Sequence, residues 1–145
     1  MLEKRCYIKQ QCNASGIFGC PVDHFSLFET GTKLGHADLL HLHLHHRARC
    51  YQVRGLCNVL ISPSFRYQGH ATQLIKAITT SILQSAADLG MLFCNPSLKN
   101  LYAACDWIAH EAAITRIGTP NQFYPYKALR MMYAASPHGL SLIHI

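Results

Sequence analysis

The amino-acid sequence predicts an α/β fold with a mixed, mostly antiparallel sheet and flanking helices, and three observations indicate it. Residues 53–61 are apolar on both faces, as in a central strand. A polar turn with Pro63 and Gly69 follows, and then a long helical pattern begins. Residues 91–94 form a second short apolar run after that helix, so the two strands should lie parallel and open a cleft where they diverge.

The composition is that of one globular domain, and we take residues 1–145 as that domain. Hydrophobic residues make up 50% of the chain and charged residues 14%, which argues against disorder. No apolar run approaches the roughly 20 residues that span a bilayer, and residues 1–5 do not begin a signal peptide. We therefore expect a cytoplasmic protein without a membrane partner.

The charged and sulfur-containing residues narrow the function classes. The formal net charge is +6, but the basic residues are spread along the chain, so we expect no nucleic-acid partner. Seven cysteines occur without a Cys-x-x-Cys spacing, which is typical of reduced, mostly buried thiols. Two of them, Cys57 and Cys94, fall within predicted strands.

The first half of the chain predicts one short helix and then strands. Residues 1–22 read as an abbreviated N-terminal region with a short helix before a loop. Residues 25–29 and 36–50 read as strands, and a hairpin turn around residues 50–52 leads into the central strand.

A row of histidines occupies the second of these strands. Leu40, Leu42 and Leu44 should point to one side of the sheet, while His41, His43 and His45 point to the other. Alternate histidines lie roughly 7 Å apart and can bind zinc or copper. Because no acid or cysteine is interleaved, the row favours a polar sheet face or a wall of the acceptor pocket. A His-rich metal-binding protein stays open as an alternative.

The second half predicts helices and closing strands. The helix should run over residues 69–89, with an apolar stripe through Leu74, Ile78 and Ile82 and with Gly90 as its C-terminal cap. Residues 96–105 should form a short helix, and the run through Tyr133 should supply one or two antiparallel strands.

Residues 59–71, which we call the cradle, have the features of an anion site. A strand that ends in a glycine-bearing turn and enters a helix leaves unpaired N–H groups at the positive end of the helix dipole. Gly69 and Ala71 are small enough for a phosphate to approach the backbone, and Arg66 can add a charged contact. An ordinary strand-to-helix turn is the alternative interpretation.

Two ordered motifs resemble the GNAT superfamily of N-acetyltransferases, with the small aminoglycoside-type acetyltransferases as the nearest group. Pro63-x-x-Arg66-x-x-Gly69-x-Ala71 resembles the acetyl-CoA signature, and Asn95-x-x-Leu98-x-x-Leu101-Tyr102-x-x-x-Asp106-Trp107 resembles a downstream segment of the family. The resemblance implies a sheet with a splayed central parallel pair, acetyl-CoA as co-substrate and an amine acceptor. The implied coenzyme contacts are Val59, Leu60, Ile61, Arg66, Tyr67, Gln68, Gly69, His70, Ala71 and Asn95.

The resemblance also implies catalytic roles. Tyr102 takes the place of the family tyrosine that protonates the departing thiolate, although it could equally be a core or rim tyrosine. Asn95 could also cap the helix ahead of Pro96. The general base is left open among His45, Asp38 and Glu29, because the central strand offers Asn58 and no acid. Asp106 stands where the family has glycine, and the two interpretations are neutral variation and strain in a turn that prefers glycine.

We therefore predict an N-acetyltransferase that acetylates a primary amine of a small molecule or peptide by direct transfer. A non-catalytic coenzyme-A-binding protein is the other alternative. An exposed sheet edge would allow a homodimer. Residues 140–145 match a translated sequencing-adapter end, so we expect a non-native tail there, with six ordinary residues as the alternative.

Overall fold

The structure is a computed structural model that describes residues 6–17, 19–113, 115–119 and 121–143. Within these ranges the chain forms nine strands and three helices. The strands are β1 (Cys6–Ile17), β2 (Cys20–Glu29), β3 (Thr32–His46), β4 (Arg49–Ile61), β5 (Leu89–Cys94), β6 (Ile108–Ala109), β7 (Thr115–Thr119), β8 (Gln122–Tyr126) and β9 (Leu129–Ala134). The helices are α1 (His70–Gln84), α2 (Lys99–Ala103) and α3 (Pro137–Ile143).

A seven-stranded sheet organises the fold, in the order β1-β2-β3-β4-β5-β9-β6. The β4–β5 pair is parallel, and the other neighbouring pairs in this sheet are antiparallel. Strands β7 and β8 form a separate hairpin between β6 and β9. The predicted mixed, mostly antiparallel sheet with a central parallel pair is confirmed.

The parallel strands β4 and β5 separate towards their C-terminal ends because a bulge bends β4. Pairing of β4 with β5 ends at Leu56 and Leu92. One residue later a bulge begins, where Asn58 and Val59 of β4 stand opposite the single residue Ala37 of β3. Asn58 has a φ of +54° there. Residues 57–61 therefore leave the side of β5, and the wedge between the two strands opens at this point.

The two faces of the sheet are covered by different helices. Helix α1 buries Leu74, Ile75, Ile78, Thr79 and Ile82 against one face, where they join the main hydrophobic core. On the opposite face Ile143 of α3 belongs to a smaller cluster with Tyr51, Val53, Leu89 and Met132. The two faces of the sheet thus carry separate hydrophobic clusters.

The N-terminal region differs from the prediction. Cys6–Ile17 is a strand that pairs with β2, whereas the sequence indicated a short helix and a loop. The chain turns back at Gly19, whose φ is +73°, and β2 begins at Cys20, earlier than predicted. Strand β1 is an edge strand with mostly exposed side chains, so it carries no strong apolar alternation from which it could be recognised.

The long hairpin turns earlier than expected. The reversal lies at Arg47 and Ala48, with φ values of +48° and +62°, and not around residues 50–52. Both residues adopt the left-handed conformation that a tight antiparallel hairpin requires. Strand β3 consequently ends at His46, and β4 begins at Arg49.

The main helix is shorter than predicted. It begins after Gly69 as expected but ends at Gln84, where the Ser85 hydroxyl donates to the Ile82 carbonyl. Gly90 is therefore a buried residue of β5 and no helix cap. A Cβ atom on Gly90 would lie 2.7 Å from Cη2 of Trp107, so glycine is required there by packing.

Two further predictions need correction. The predicted helix over residues 96–105 is split into a 3₁₀ turn, Pro96–Leu98, followed by α2. The thiols are also less buried than predicted, because Cys94 and Cys105 are buried whereas Cys6, Cys12 and Cys50 are exposed. No helix in the described part of the chain is long and apolar enough to cross a membrane.

Candidate active site

The cradle has the strand–turn–helix geometry that the sequence predicts. Strand β4 ends at Ile61, a 3₁₀ turn covers Pro63–Phe65, and Gly69 with a φ of +81° is the N-cap of α1. Gly69 has no side chain to cap the helix, and its carbonyl accepts the first helical bond, from the Gln73 N–H. The N–H groups of residues 70–72 precede this first bond, so they are available to an anion.

Arg66 is fixed beside these donors. Its Nε donates a hydrogen bond to the carbonyl oxygen of Ile61 at 3.0 Å, which ties the turn back to the end of β4. The terminal nitrogens of the guanidinium are then the groups that could meet a phosphate. Next to it, Tyr67 has a φ of +63° and is 103% exposed, so its ring projects into solvent at the rim.

A cavity of about 430 Å³ lies between the cradle and α2. It brings together most of the predicted site residues, namely Val59, Leu60, Ile61, Arg66, Tyr67, Gly69, His70, Ala71 and Tyr102. Phe65, Thr72, Leu98 and Leu101 also line it, and the sequence did not single these out as site residues. The Nε2 atom of His70 is buried without a hydrogen-bond partner in the described part of the chain. Such a polar atom is a group that a ligand could satisfy.

Tyr102 forms part of the wall of this cavity. Its side chain is 6% exposed. Burial, with smaller contributions from the neighbouring Cys94 and Cys105 side chains, raises the pKa of Tyr102 to about 12. The phenol is protonated at neutral pH, as it would also be at the ordinary tyrosine pKa of 10.0, and burial makes it a weaker acid.

Two predicted coenzyme contacts do not line the cavity. Gln68 is exposed within the turn. The Asn95 side chain accepts a hydrogen bond from the Ser97 N–H at 3.0 Å and caps the 3₁₀ turn Pro96–Leu98. Asn95 thus has the capping role considered from the sequence, and a contact from it to coenzyme A stays a prediction.

Asp38, one of the three candidate bases, lies next to the bulge in β4. Nδ1 of His24 lies 2.7 Å from Oδ1 of Asp38, and Nδ2 of Asn58 donates to Oδ2 of Asp38 at 2.9 Å. This chain of contacts joins β2, β3 and the bulged residue of β4. By strand alternation it lies on the sheet face opposite α1. Glu29 and His45 lie near the ends of their strands, away from the bulge.

His24 was missed by the sequence interpretation. The predicted strand begins one residue later, at position 25, so His24 lies outside it. A strand extended back to residue 20 would have placed His24 on one face with Ser26, and the register with β3 then puts it directly opposite Asp38. Only this cross-strand register, which is a tertiary property, reveals the pair.

The histidine row has the predicted alternation, but its first member has a partner. Nε2 of His41 lies 2.8 Å from Oδ2 of Asp23, a carboxylate that is 8% exposed as a whole residue. His43 and His45 are exposed. Among the residues that the structure describes, no three His, Cys, Asp or Glu side chains are grouped closely enough to hold a metal ion.

Comparison with known proteins identifies the fold. No family model and no curated protein matches the sequence. Among solved structures, the GNAT family N-acetyltransferase YhbS from Escherichia coli, determined in complex with CoA, is similar with a TM-score of 0.61 and 16% identity. The chain has the GNAT fold. This match covers 81% of the present chain and 61% of YhbS.

Other proteins with the GNAT fold match in the same way. Spermidine N-acetyltransferase from Vibrio cholerae, in complex with CoA and spermine, has a TM-score of 0.58 and 17% identity over 81% of this chain and 68% of its own. A GCN5-related N-acetyltransferase from Kribbella flavida has a TM-score of 0.54 and 13% identity over 66% of this chain. That match spans only 29% of the Kribbella flavida protein.

Proposed function

We propose that the chain is an acetyl-CoA-dependent N-acetyltransferase that transfers an acetyl group to a primary amine by direct transfer. The observation that carries this proposal is the cavity that unites a helix N-terminus, a strand edge beyond the splay and a protonated tyrosine. The GNAT fold supports acetyl transfer in general, and two proteins of that fold were solved with CoA.

The chain offers a suitable surface for each part of the coenzyme. The unpaired N–H groups at the start of α1 and the Arg66 guanidinium would hold the pyrophosphate. Residues 59–61 lie beyond the last β4–β5 pair, so their edge is open to the amide groups of the pantetheine arm. A Cβ atom on Gly69 would meet no atom within 4 Å, so open space lies directly above the cradle.

Tyr102 would act as the general acid. Transfer from a thioester to an amine expels a thiolate, which requires a proton. The phenol of Tyr102 carries its proton at neutral pH, as any tyrosine does, and the residue lines the cavity in which the coenzyme would lie. Its role is to donate the proton from Oη to the departing sulfur.

His24 would act as the general base, oriented by Asp38. The contact from Nδ1 to Asp38 leaves Nε2 as the nitrogen that takes the proton from the amine. Asn58 holds the second oxygen of Asp38 and therefore fixes the pair relative to the bulge. The acid and the base would then act from opposite sides of the wedge.

Calorimetric titration with acetyl-CoA tests the proposal directly. The wild type should bind, and Gly69→Trp should weaken binding at least tenfold, because the indole would fill the space above the cradle. Since any side chain at a φ of +81° is strained, Gly69→Asn serves as the matched control with a small residue that tolerates this conformation. Absence of acetyl-CoA binding by the folded wild type would overturn the proposed function.

A further inference from the structure

A second cavity of about 400 Å³ lies on the sheet face opposite α1. Strands β3, β5 and β9, His110 and the first residue of β7 contribute to its walls, together with two residues of α3 from the segment 140–145 that the sequence matched to an adapter end. The lining residues are Leu44, His45, His46, Met91, Phe93, His110, Thr115, Arg130, Met132, Leu142 and Ile143. Three histidines and one arginine thus stand among mostly apolar side chains, and none of these lining residues is acidic.

Two of the lining side chains carry nitrogen atoms that lack a partner. Nε of Arg130 and Nε2 of His46 are buried without a hydrogen-bond partner in the part of the chain that the structure describes. A buried donor without an acceptor destabilises a protein by about 1–3 kcal/mol, and more when it is charged. A ligand that brings hydrogen-bond acceptors and a negative charge would relieve both deficits.

The cavity reaches the β5 side of the wedge at Phe93. Phe93 is the residue directly after Leu92, at which the β4–β5 pairing ends, and it stands opposite Arg130 of β9. By strand alternation, Leu44 lies on the same face of β3 as Asp38. A molecule in this cavity therefore lies on the same face of the sheet as the His24–Asp38 pair and next to the β5 side of the wedge.

We propose that this cavity binds the acceptor, and that the acceptor is an amino acid with an apolar side chain and a free carboxylate. This inference rests on the proposed acetyltransferase function. Arg130 and His46 would hold the carboxylate, while the apolar walls receive the side chain and the amine is directed to the wedge. A polyamine such as the spermine bound by the Vibrio cholerae enzyme carries several positive charges, and the cavity offers it no carboxylate.

The experiment compares acceptors that differ only in their carboxylate. Initial acetylation rates are measured for phenylalanine, phenylalanine amide and phenethylamine, with leucine and its amide as a second set. We expect kcat/KM to be at least tenfold higher for the acids than for the amides and the decarboxylated amine. Equal or higher values for the uncharged or purely cationic acceptors would overturn the inference.

Arg130→Gln keeps hydrogen-bonding capacity but removes the charge, and it should abolish the preference for the acids by raising their KM. Arg47→Gln removes the same charge from the exposed β3–β4 turn and should leave the preference unchanged. An unaltered preference in Arg130→Gln would overturn the assignment.

Acetyl-CoA affinity of each variant, measured separately, reports whether the fold and the first cavity are intact. If the wild type binds acetyl-CoA but shows no acid preference, only the acceptor inference fails. If it does not bind acetyl-CoA, the proposed function fails. Calorimetry with phenylalanine alone then decides whether the second cavity binds a carboxylate. Absence of binding would overturn the assignment of this cavity as a carboxylate site.

Discussion

Replacement of Tyr102 by phenylalanine separates a catalytic tyrosine from a cavity-wall tyrosine. The substitution removes one oxygen atom from a side chain that is 6% exposed and keeps the ring that packs in the core. If Tyr102 donates a proton in the reaction, kcat should fall by about 10²-fold or more. The affinity for acetyl-CoA, measured by calorimetry, should remain within about twofold, since the phenol is one contact among many.

The same variant tests the raised pKa of Tyr102 independently of catalysis. Burial and the neighbouring Cys94 and Cys105 side chains move this pKa from 10.0 to about 12, which corresponds to roughly 3 kcal/mol. Below pH 10 the phenol is protonated in both the folded and the unfolded chain, so its full contribution to stability is present. Between pH 10 and about 12 the unfolded chain loses the proton first, so the free energy of unfolding falls as the pH rises.

Urea denaturation of the wild type and Tyr102→Phe at several pH values from 9 to 12 measures this effect. The difference between the two proteins should be constant up to about pH 10 and then shift by about 2–3 kcal/mol in favour of the phenylalanine variant. Tyr67→Phe provides the control. Tyr67 is 103% exposed, so its replacement removes a phenol that folding does not bury and should not change how stability depends on pH. A flat difference for Tyr102→Phe would refute the burial argument, and an unchanged kcat would refute the acid role.

Three further substitutions test other parts of the structure. His24→Gln should lower kcat by about 10²-fold without changing acetyl-CoA affinity. Steady-state kinetics measure the first quantity and calorimetry the second. A wild-type kcat would exclude His24 as the base. Asp106→Gly should raise the free energy of unfolding in urea by about 1 kcal/mol, because Asp106 has a φ of +71°; a loss of stability would show that the aspartate side chain contributes more than the strain costs. Ile143→Ala should lower the free energy of unfolding in urea by about 2–4 kcal/mol, because Ile143 is 5% exposed within the cluster under α3. A change below about 0.5 kcal/mol would show that α3 contributes little to stability in solution.

The cradle could be predicted from the sequence because its determinants are local. Pro63 ends the strand, Gly69 supplies the positive φ at the N-cap, and the apolar stripe of α1 begins directly afterwards. The sequence left strain at Asp106 as one of two interpretations, and its φ of +71° is the left-handed conformation in which glycine is favoured. Residues close in sequence thus fixed one wall of the candidate site.

Element ends and edge strands were harder to predict. Strand β1 is held by pairing with β2 and not by an apolar pattern of its own. The end of α1 was misplaced because Gly90 looked like a helix cap, whereas Trp107 from a distant segment packs on it in β5. In both cases a contact between distant parts of the chain overrides the local signal.

The amino-acid sequence by itself determined the turn, the main helix and the parallel strands that place a helix N-terminus beside an open strand edge. Only the tertiary structure decided what lies on the other side of the sheet. The register of β2 on β3 places His24 against Asp38, and the bulge of β4 adds Asn58 to them. The antiparallel β5–β9 pairing places Arg130 opposite Phe93 in the second cavity. These groups come from strands far apart in sequence, and since a shift of one residue in register turns every side chain to the other face, only the folded sheet specifies the match.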